Sequence, residues 1–160
     1  MDETTRTNEE VVSTLNELIE TCRDGENGFR TAAENTESSR LKSMFREISE
    51  QRARFADELQ QEVNRLGGRP AKSGSLAGAA HRGWMNIRAG VTGVSDRQTI
   101  EEAERGEDSA VKAYRSALAS GLPSSVRSIV ERQSRSVQET HDRIRTLERG
   151  EPETFTGRPV

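Results

Sequence analysis

The stretch from residue 11 to residue 32 reads VVSTLNELIETCRDGENGFRTA. Its apolar and small side chains return every three or four residues, which is the spacing of one face of an α-helix. The face consists of Val11, Leu15, Leu18, Cys22, Gly25, Phe29 and Ala32. This unbroken pattern predicts a long amphipathic helix, helix A, over about residues 8–35, with one side buried against other helices.

Three further stretches repeat this spacing. Helix B is predicted over about residues 39–66 and helix D over about residues 123–149. Helix C begins at Ser95, because a hydroxyl followed three residues later by Gln98 fits a capping box, and it ends near Gly121. The chain therefore carries four long helices and no predicted strand.

The connections between the helices set their arrangement. The A–B and C–D turns are short, so each pair must be antiparallel. Residues 67–94 are rich in Gly, Ala and Ser, and a short helix is predicted there from Ser75 to about Arg88. Because a 28-residue helix is about 42 Å long, a connection of this size can return the chain along the bundle. The sequence predicts an all-α, antiparallel four-helix bundle with one long B–C crossover, which is the ferritin-like connectivity.

The chain is divided on this basis into three parts. Residues 1–7 are predicted to be a flexible leader, residues 8–149 the bundle with its crossover at 67–94, and residues 150–160 a disordered tail.

Composition excludes several classes of function. Of 160 residues, 31% are hydrophobic and 32% charged, with a formal net charge of −3, which disfavours a sequence-independent nucleic-acid binder. No apolar run approaches the roughly 18 residues that cross a membrane, and the acidic N-terminus does not resemble a signal peptide. The lone cysteine excludes an internal disulfide. We expect a cytoplasmic protein that binds neither nucleic acid nor membrane.

Polar side chains interrupt the predicted buried faces where leucine would be expected. They are Cys22 in helix A, Arg52 in helix B, Glu107 in helix C, and Gln133, Gln138 and His141 on or beside the face of helix D. Counting residues from the turns places Cys22, Arg52, Glu107 and Gln138 within about one helical turn of the same height. Because a buried charge needs a partner, we predict an Arg52–Glu107 ion pair whose hydrogen bonds are completed by His141 or Gln138.

This polar layer resembles the ligand pattern of the ferritin-like superfamily. In its di-iron members helices A and C each offer a Glu, and helices B and D each offer Glu-x-x-His. Glu107, followed seven residues later by Tyr114, resembles the helix C pattern, and His141 resembles the helix D histidine. Cys22 and Arg52 stand where ligands would be. The resemblance therefore implies a degenerate di-iron site, since Arg52 places a fixed positive charge where a cation would bind.

Over roughly residues 8–149 the chain is also similar to a family of uncharacterised bacterial four-helix-bundle proteins, a domain of unknown function within the ferritin-like group. The segments that carry this resemblance are LIETCRDG at 18–25, LGGRP at 66–70 and HRGW at 81–84. The resemblance implies the fold and no established activity.

Two interpretations remain open for the reactive residues of the layer. Cys22, Glu107 and His141 together offer the S, O and N donors that zinc accepts, and Arg52 would lower the pKa of the Cys22 thiol and raise its reactivity. The alternative is that Cys22 is a small buried hydrophobe and His141 a satisfied histidine beside the core.

The crossover carries a second group of candidate residues, His81, Arg82 and Trp84. Trp84 is predicted to anchor the crossover to the bundle while the two basic residues stay solvated; a binding surface is the alternative. Gly28 and Gly106 lie inside predicted helices, where each costs about 1 kcal/mol relative to Ala. Close helix approach, local bending or a ligand entry point would each explain them.

The sequence favours a non-enzymatic bundle without a cofactor that acts through self-association or a protein partner. A stress-associated role comes only from superfamily analogy. The apolar edge residues predicted to join two copies as a homodimer are Val12, Ile19, Met44 and Val111. The alternative is a metal-binding or redox-sensing protein, with zinc or iron, that uses Cys22, Glu107 and His141.

Overall fold

The computed structural model describes residues 7–71, Trp84 and residues 95–149. These residues contain four helices, which are α1 (Asn8–Asn35), α2 (Ser39–Arg65), α3 (Asp96–Leu118) and α4 (Ser124–Glu148). The predicted all-α, antiparallel four-helix bundle is confirmed. The predicted crossover helix lies outside the described residues apart from Trp84, and so do the predicted tail and residues 1–6 of the predicted leader.

Local sequence sets where the helices begin and end. Thr7 caps α1 in a capping box, and the capping box predicted for Ser95 and Gln98 begins α3. Gly67 and Gly121 follow α2 and α3 with φ of 82° and 81°. Glycine adopts this left-handed conformation without strain and commonly ends helices for that reason.

The beginning of α3 lies beside the turn that joins α1 to α2. The Asp96 carboxylate accepts hydrogen bonds from the backbone N–H groups of Glu37, at 2.9 Å, and Ser38, at 3.1 Å. Because α1 and α2 are antiparallel, α2 ends at the opposite end of the bundle. The chain therefore leaves α2 at one end of the bundle and enters α3 at the other, which is the arrangement that a long B–C crossover requires.

The crossover begins along α1. The Asn16 side chain donates to the carbonyl of Arg69 at 2.9 Å and accepts from the N–H of Ala71 at 2.7 Å. Further along, Trp84 is only 7% exposed, and its indole meets the Phe29 ring edge-on at 4.9 Å between centroids. The predicted anchoring role of Trp84 agrees with this packing, whereas His81 and Arg82 lie outside the described residues.

Trp84 also explains two glycines inside helices. A Cβ atom added to Gly28 in α1 or to Gly106 in α3 would overlap the indole of Trp84. The ring therefore fits between the two helices because neither carries a side chain at this height. The close helix approach offered as an explanation for these glycines is not what the structure shows, because the atoms that approach them belong to the Trp84 side chain of the crossover.

The apolar core forms two clusters, one on each side of the height of Arg52 and Glu107. Ile19, Met44 and Val111 are buried in it, and Val12 packs partly buried against it. The prediction that these residues form an exposed dimer edge is therefore wrong for the first three. The physical reason is that α1, α2 and α3 each bury more than one stripe, since Ile19 and Val111 pack in one core cluster and Met44 in the other. No described helix is long and apolar enough to cross a membrane.

Candidate functional site

Arg52 of α2 and Glu107 of α3 form an ion pair inside the bundle, and each is 1% exposed. Arg52 Nη1 donates to Glu107 Oε1 at 2.6 Å, and Nη2 donates to Oε2 at 2.7 Å. Two parallel hydrogen bonds between a guanidinium and a carboxylate are strong and geometrically specific. The pair predicted from the sequence is present.

The helix α1 shapes the space around the guanidinium group. A Cβ atom added to Gly25 would lie 3.5 Å from Arg52 Cγ, so the α1 backbone passes close to the arginine stem. Arg52 Cζ lies 5.6 Å from the centroid of the Phe29 ring, within cation–π range. Burial lowers the pKa of Arg52, but the charge and hydrogen bonds of Glu107 outweigh it and hold the pKa above its usual value. Arg52 therefore stays charged.

A hydrogen-bonded chain of three buried side chains lies beside the ion pair. The Tyr114 hydroxyl donates to Gln133 Oε1 at 2.7 Å and lies 3.1 Å from Cys22 Sγ. A hydroxyl has one proton, so Cys22 donates its S–H to Tyr114. The Gln133 amide donates in turn to Glu58 Oε1 at 2.8 Å and to the carbonyl of Phe55 at 3.4 Å. The chain thus links the thiol to the half-buried carboxylate of α2.

Burial raises the pKa of the Cys22 thiol to about 11, although the Arg52 charge acts to lower it. Burial also raises the pKa of Tyr114 well above its usual value, with Cys22 as the next cause. The hypothesis that Arg52 activates the thiol is therefore wrong, because burial raises the pKa of Cys22 by more than the Arg52 charge lowers it. A buried, protonated thiol is a poor nucleophile.

Gln138 and His141 do not complete the ion pair. Gln138 is half-buried and donates to Asp142 Oδ1 on its own helix at 3.1 Å. His141 faces α3 at a different place, with Nε2 3.3 Å from Asp108 Oδ1. The reason is the rotation of α4, since Gln138 lies five residues beyond the buried Gln133 and thus about 140° around the helix. Counting residues from the turns predicts the height of a residue along α4. It does not predict which face of α4 points into the bundle at that height.

Tyr114 is the member of the polar layer that sequence reasoning missed. Its ring is fully buried in the apolar core, so only its hydroxyl belongs to the polar layer. A buried tyrosine hydroxyl usually finds a hydrogen-bond partner, and Gln133, in the stripe of α4 between Val130 and Val137, was the candidate. The need of a buried hydroxyl for a partner is therefore the signal in the sequence that could have predicted the Tyr114–Gln133 hydrogen bond.

The sequence matches, over residues 10–120, the family model described as Domain of unknown function (DUF2383). The matched range is well over half of the 160 residues. A search of curated proteins gives no significant match.

Several solved structures share the fold. The Dps protein from Vibrio cholerae O1, described as a member of a broad superfamily of ferritin-like diiron-carboxylate proteins, is 14% identical with a TM-score of 0.72, covering 92% of this chain and 98% of that one. Dps from Staphylococcus aureus is 17% identical with a TM-score of 0.72, covering 91% and 98%. A two-domain protein from Anabaena variabilis with DJ-1/ThiJ/PfpI-like and ferritin-like domains is 19% identical with a TM-score of 0.74, covering 98% of this chain and 42% of that one. The fold is therefore ferritin-like.

The di-iron centre that this superfamily implies does not fit the residues of this bundle. Both oxygens of Glu107 already accept hydrogen bonds from Arg52, and Cys22 faces Tyr114. In the described part of the chain, no three His, Cys, Asp or Glu side chains stand together as a group that could hold a metal ion. The structure does not bring Cys22, Glu107 and His141 together as metal ligands, because each of them faces a different partner.

Proposed function

The chain belongs to the DUF2383 family, and from this premise we propose that it is a non-enzymatic ferritin-like bundle that acts by association with itself or with a protein partner. The observation that carries the proposal is the buried, doubly hydrogen-bonded Arg52–Glu107 pair. The proposal includes a cytoplasmic location and a stress-associated role by analogy with the superfamily.

The ion pair supports a bundle without central metal chemistry. A guanidinium is permanently charged at physiological pH, so Arg52 repels a cation from the space between α1, α2 and α3. Glu107 has both oxygens engaged, and the Cys22 thiol holds its proton at neutral pH. The residues that would bind and activate iron are thus replaced by residues that satisfy one another.

The outer surface supports a partner that is itself a macromolecule. A groove of about 420 Å³ lies between α1 and α2. Most of its lining residues are charged, with both signs present, and they are Glu26, Arg30, Glu34, Arg46, Ser49, Glu50 and Ala53. Small-molecule sites are mostly apolar and concave. An open groove with charges of both signs suits the charged side chains of a protein surface better than an apolar ligand.

Iron oxidation tests the absence of central metal chemistry. Ferrous iron is added in air to the untagged full-length protein, and the appearance of ferric iron is followed by absorbance against protein-free buffer. We expect the protein and the buffer to oxidise iron at the same rate. A rate that rises in proportion to the protein concentration would contradict the proposal.

Sedimentation equilibrium tests self-association. The protein is measured from micromolar to hundreds of micromolar concentration, and we expect a dimer or larger assembly to form within that range. A strict monomer throughout would remove self-association from the proposal and leave only a different protein as partner.

A further inference from the structure

His141 is a buried histidine of α4 that faces α3 at the seam between the two helices. Its side chain is only 7% exposed. Ile144 lies one turn further along α4 and packs in the same core cluster as Ile100 and Ala103 of α3. The His141 ring therefore lies next to apolar core, where a charge without a partner is unfavourable, and the groups that face the ring decide whether it carries one.

Both nitrogens of the His141 ring face carboxylates. Nε2 lies 3.3 Å from Asp108 Oδ1 and 4.0 Å from Glu104 Oε2, both on α3. Nδ1 lies 3.5 Å from Asp142 Oδ1 on α4 itself. In the described part of the chain, no ion pair joins His141 to α1 or α2. The ring is thus placed between the negative charges of α3 and the negative charge of its own helix.

One proton cannot serve both ring nitrogens. A neutral imidazole carries a single N–H, so a proton on Nδ1 leaves the lone pair of Nε2 directed at Asp108. Nε2 is indeed a buried atom without an aligned hydrogen bond among the described residues. A doubly protonated ring donates from both nitrogens, and such charge-assisted hydrogen bonds are stronger than neutral ones. Burial opposes the charged form, whereas three carboxylates and the otherwise unpartnered nitrogen favour it.

We propose that His141 is a proton-operated clasp that ties α4 to α3 when its ring is doubly protonated. In that state Nε2 binds Asp108 and Nδ1 binds Asp142, with the charge of Glu104 as further support. In the neutral state the Nε2 lone pair meets a carboxylate, and the link between the helices is lost. Histidine changes its charge between about pH 5 and 8, so the clasp regulates how tightly the α3–α4 hairpin is held in that range.

The other charged groups of the seam act on its carboxylates. Lys112 lies 3.8 Å from the second oxygen of Asp108 and is three-quarters exposed, so water screens its charge. Burial, the charge of Glu104 and a hydrogen bond with Glu104 raise the pKa of Glu148, whereas Arg97 and Arg145 act to lower it. Glu148 therefore also holds a proton more readily in the folded protein. These groups form a background that a substitution of His141 leaves in place.

The clasp sets the sign of the pH dependence. In the unfolded chain the His141 ring is solvated and far from Asp108, so it holds its second proton less strongly than in the folded protein. The folded state then binds more protons, and stability rises as the pH falls through the range in which histidine titrates. Carboxylates that are ionised and paired in the folded state give the opposite trend.

Thermal unfolding of the full-length protein at pH 8, 7 and 6 tests the clasp. Between pH 8 and pH 6 the melting temperature of the wild type should rise relative to that of His141→Gln by about 2–4 °C, the shift that a modest gain in stability gives a chain of this length. The chain has only two histidines, so His81→Gln is a matched control that should respond as the wild type does. Asp108→Asn, whose side chain is half-exposed, should lose most of the response.

Nitrogen NMR of the ring gives a second readout, since it distinguishes a ring with two N–H groups from a ring with one. In the His81→Gln protein the remaining imidazole is that of His141, and we expect two N–H groups at pH 6. A neutral ring at pH 6 would overturn the proposal. The same pH response of the melting temperature in the wild type and in His141→Gln, or its loss in His81→Gln, would overturn it as well.

Discussion

Arg52 and Glu107 stabilise the fold only as a pair. Transferring two charges from water into a bundle is unfavourable, and their mutual attraction offsets this loss only when hydrogen bonds satisfy both groups. Here the guanidinium and the carboxylate share two hydrogen bonds of 2.6 and 2.7 Å. Removing one of the two residues should therefore lower the free energy of unfolding far more than removing both.

A double-mutant cycle tests this dependence. Arg52→Met leaves Glu107 buried without its partner, and Glu107→Leu leaves Arg52 in the same state, so each should lower the free energy of unfolding by about 3–5 kcal/mol. The double variant removes both charges and should lie close to the wild type. Urea unfolding followed by circular dichroism measures all four proteins. Additive losses in the double variant would contradict the account.

The buried thiol predicts how stability depends on alkaline pH. Unfolded Cys22 releases its proton near pH 9.0, whereas the folded protein holds it until about pH 11. The unfolded state then binds fewer protons, so stability falls between these pH values by up to about 1.4 kcal/mol for each pH unit. Tyr114 acts in the same direction because its pKa is also raised on folding.

Cys22→Ser is the control for this pH dependence, because serine does not titrate in this range. Urea unfolding at pH 8, 9 and 10 should show a shallower decline for the variant than for the wild type. Equal slopes in the two proteins would mean that Cys22 is not held protonated by burial.

The sequences of α1 and α3 accommodate contacts with the described residues of the crossover. Gly28 and Gly106 leave room for Trp84, and Asn16 binds the start of the crossover. The spacing of apolar residues predicted where each helix lies, because burial of one stripe dominates helix formation. It could not predict that Trp84 fits between Gly28 and Gly106, since Trp84 comes from a segment without periodicity.

Matched alanine substitutions test the role of Trp84. Gly106→Ala adds a methyl group that overlaps the indole, so it should lower the free energy of unfolding by about 1–3 kcal/mol. Gly25→Ala is the control, because its Cβ would lie at an ordinary contact distance of 3.5 Å from Arg52 Cγ. Alanine is favoured over glycine in a helix by about 1 kcal/mol, so this variant should be at least as stable as the wild type.

Repeating Gly106→Ala in a Trp84→Ala variant separates the overlap with the indole from any other effect of the alanine at residue 106. With Trp84→Ala in place, the overlap is gone, and Gly106→Ala should then cost much less than it does beside the tryptophan. The same loss in both backgrounds would show that Trp84 does not occupy the space between α1 and α3.

The molecule as a whole is a ferritin-like bundle whose interior is closed by its own side chains. Connection lengths predicted its topology, because short turns force antiparallel neighbours and one long connection permits the return. They also placed Arg52 and Glu107 at one height. The orientation of α4 about its axis is set by packing against α3, so the true partners of Gln133, Gln138 and His141 emerged only from the structure.

Anomalous X-ray diffraction from crystals soaked in excess ferrous iron without oxygen tests most directly whether the ion pair replaces a central metal. The account predicts no anomalous peak between α1, α2 and α3, with Arg52 still bonded to both oxygens of Glu107. One or two iron peaks beside Glu107, with the Arg52 side chain displaced, would contradict it.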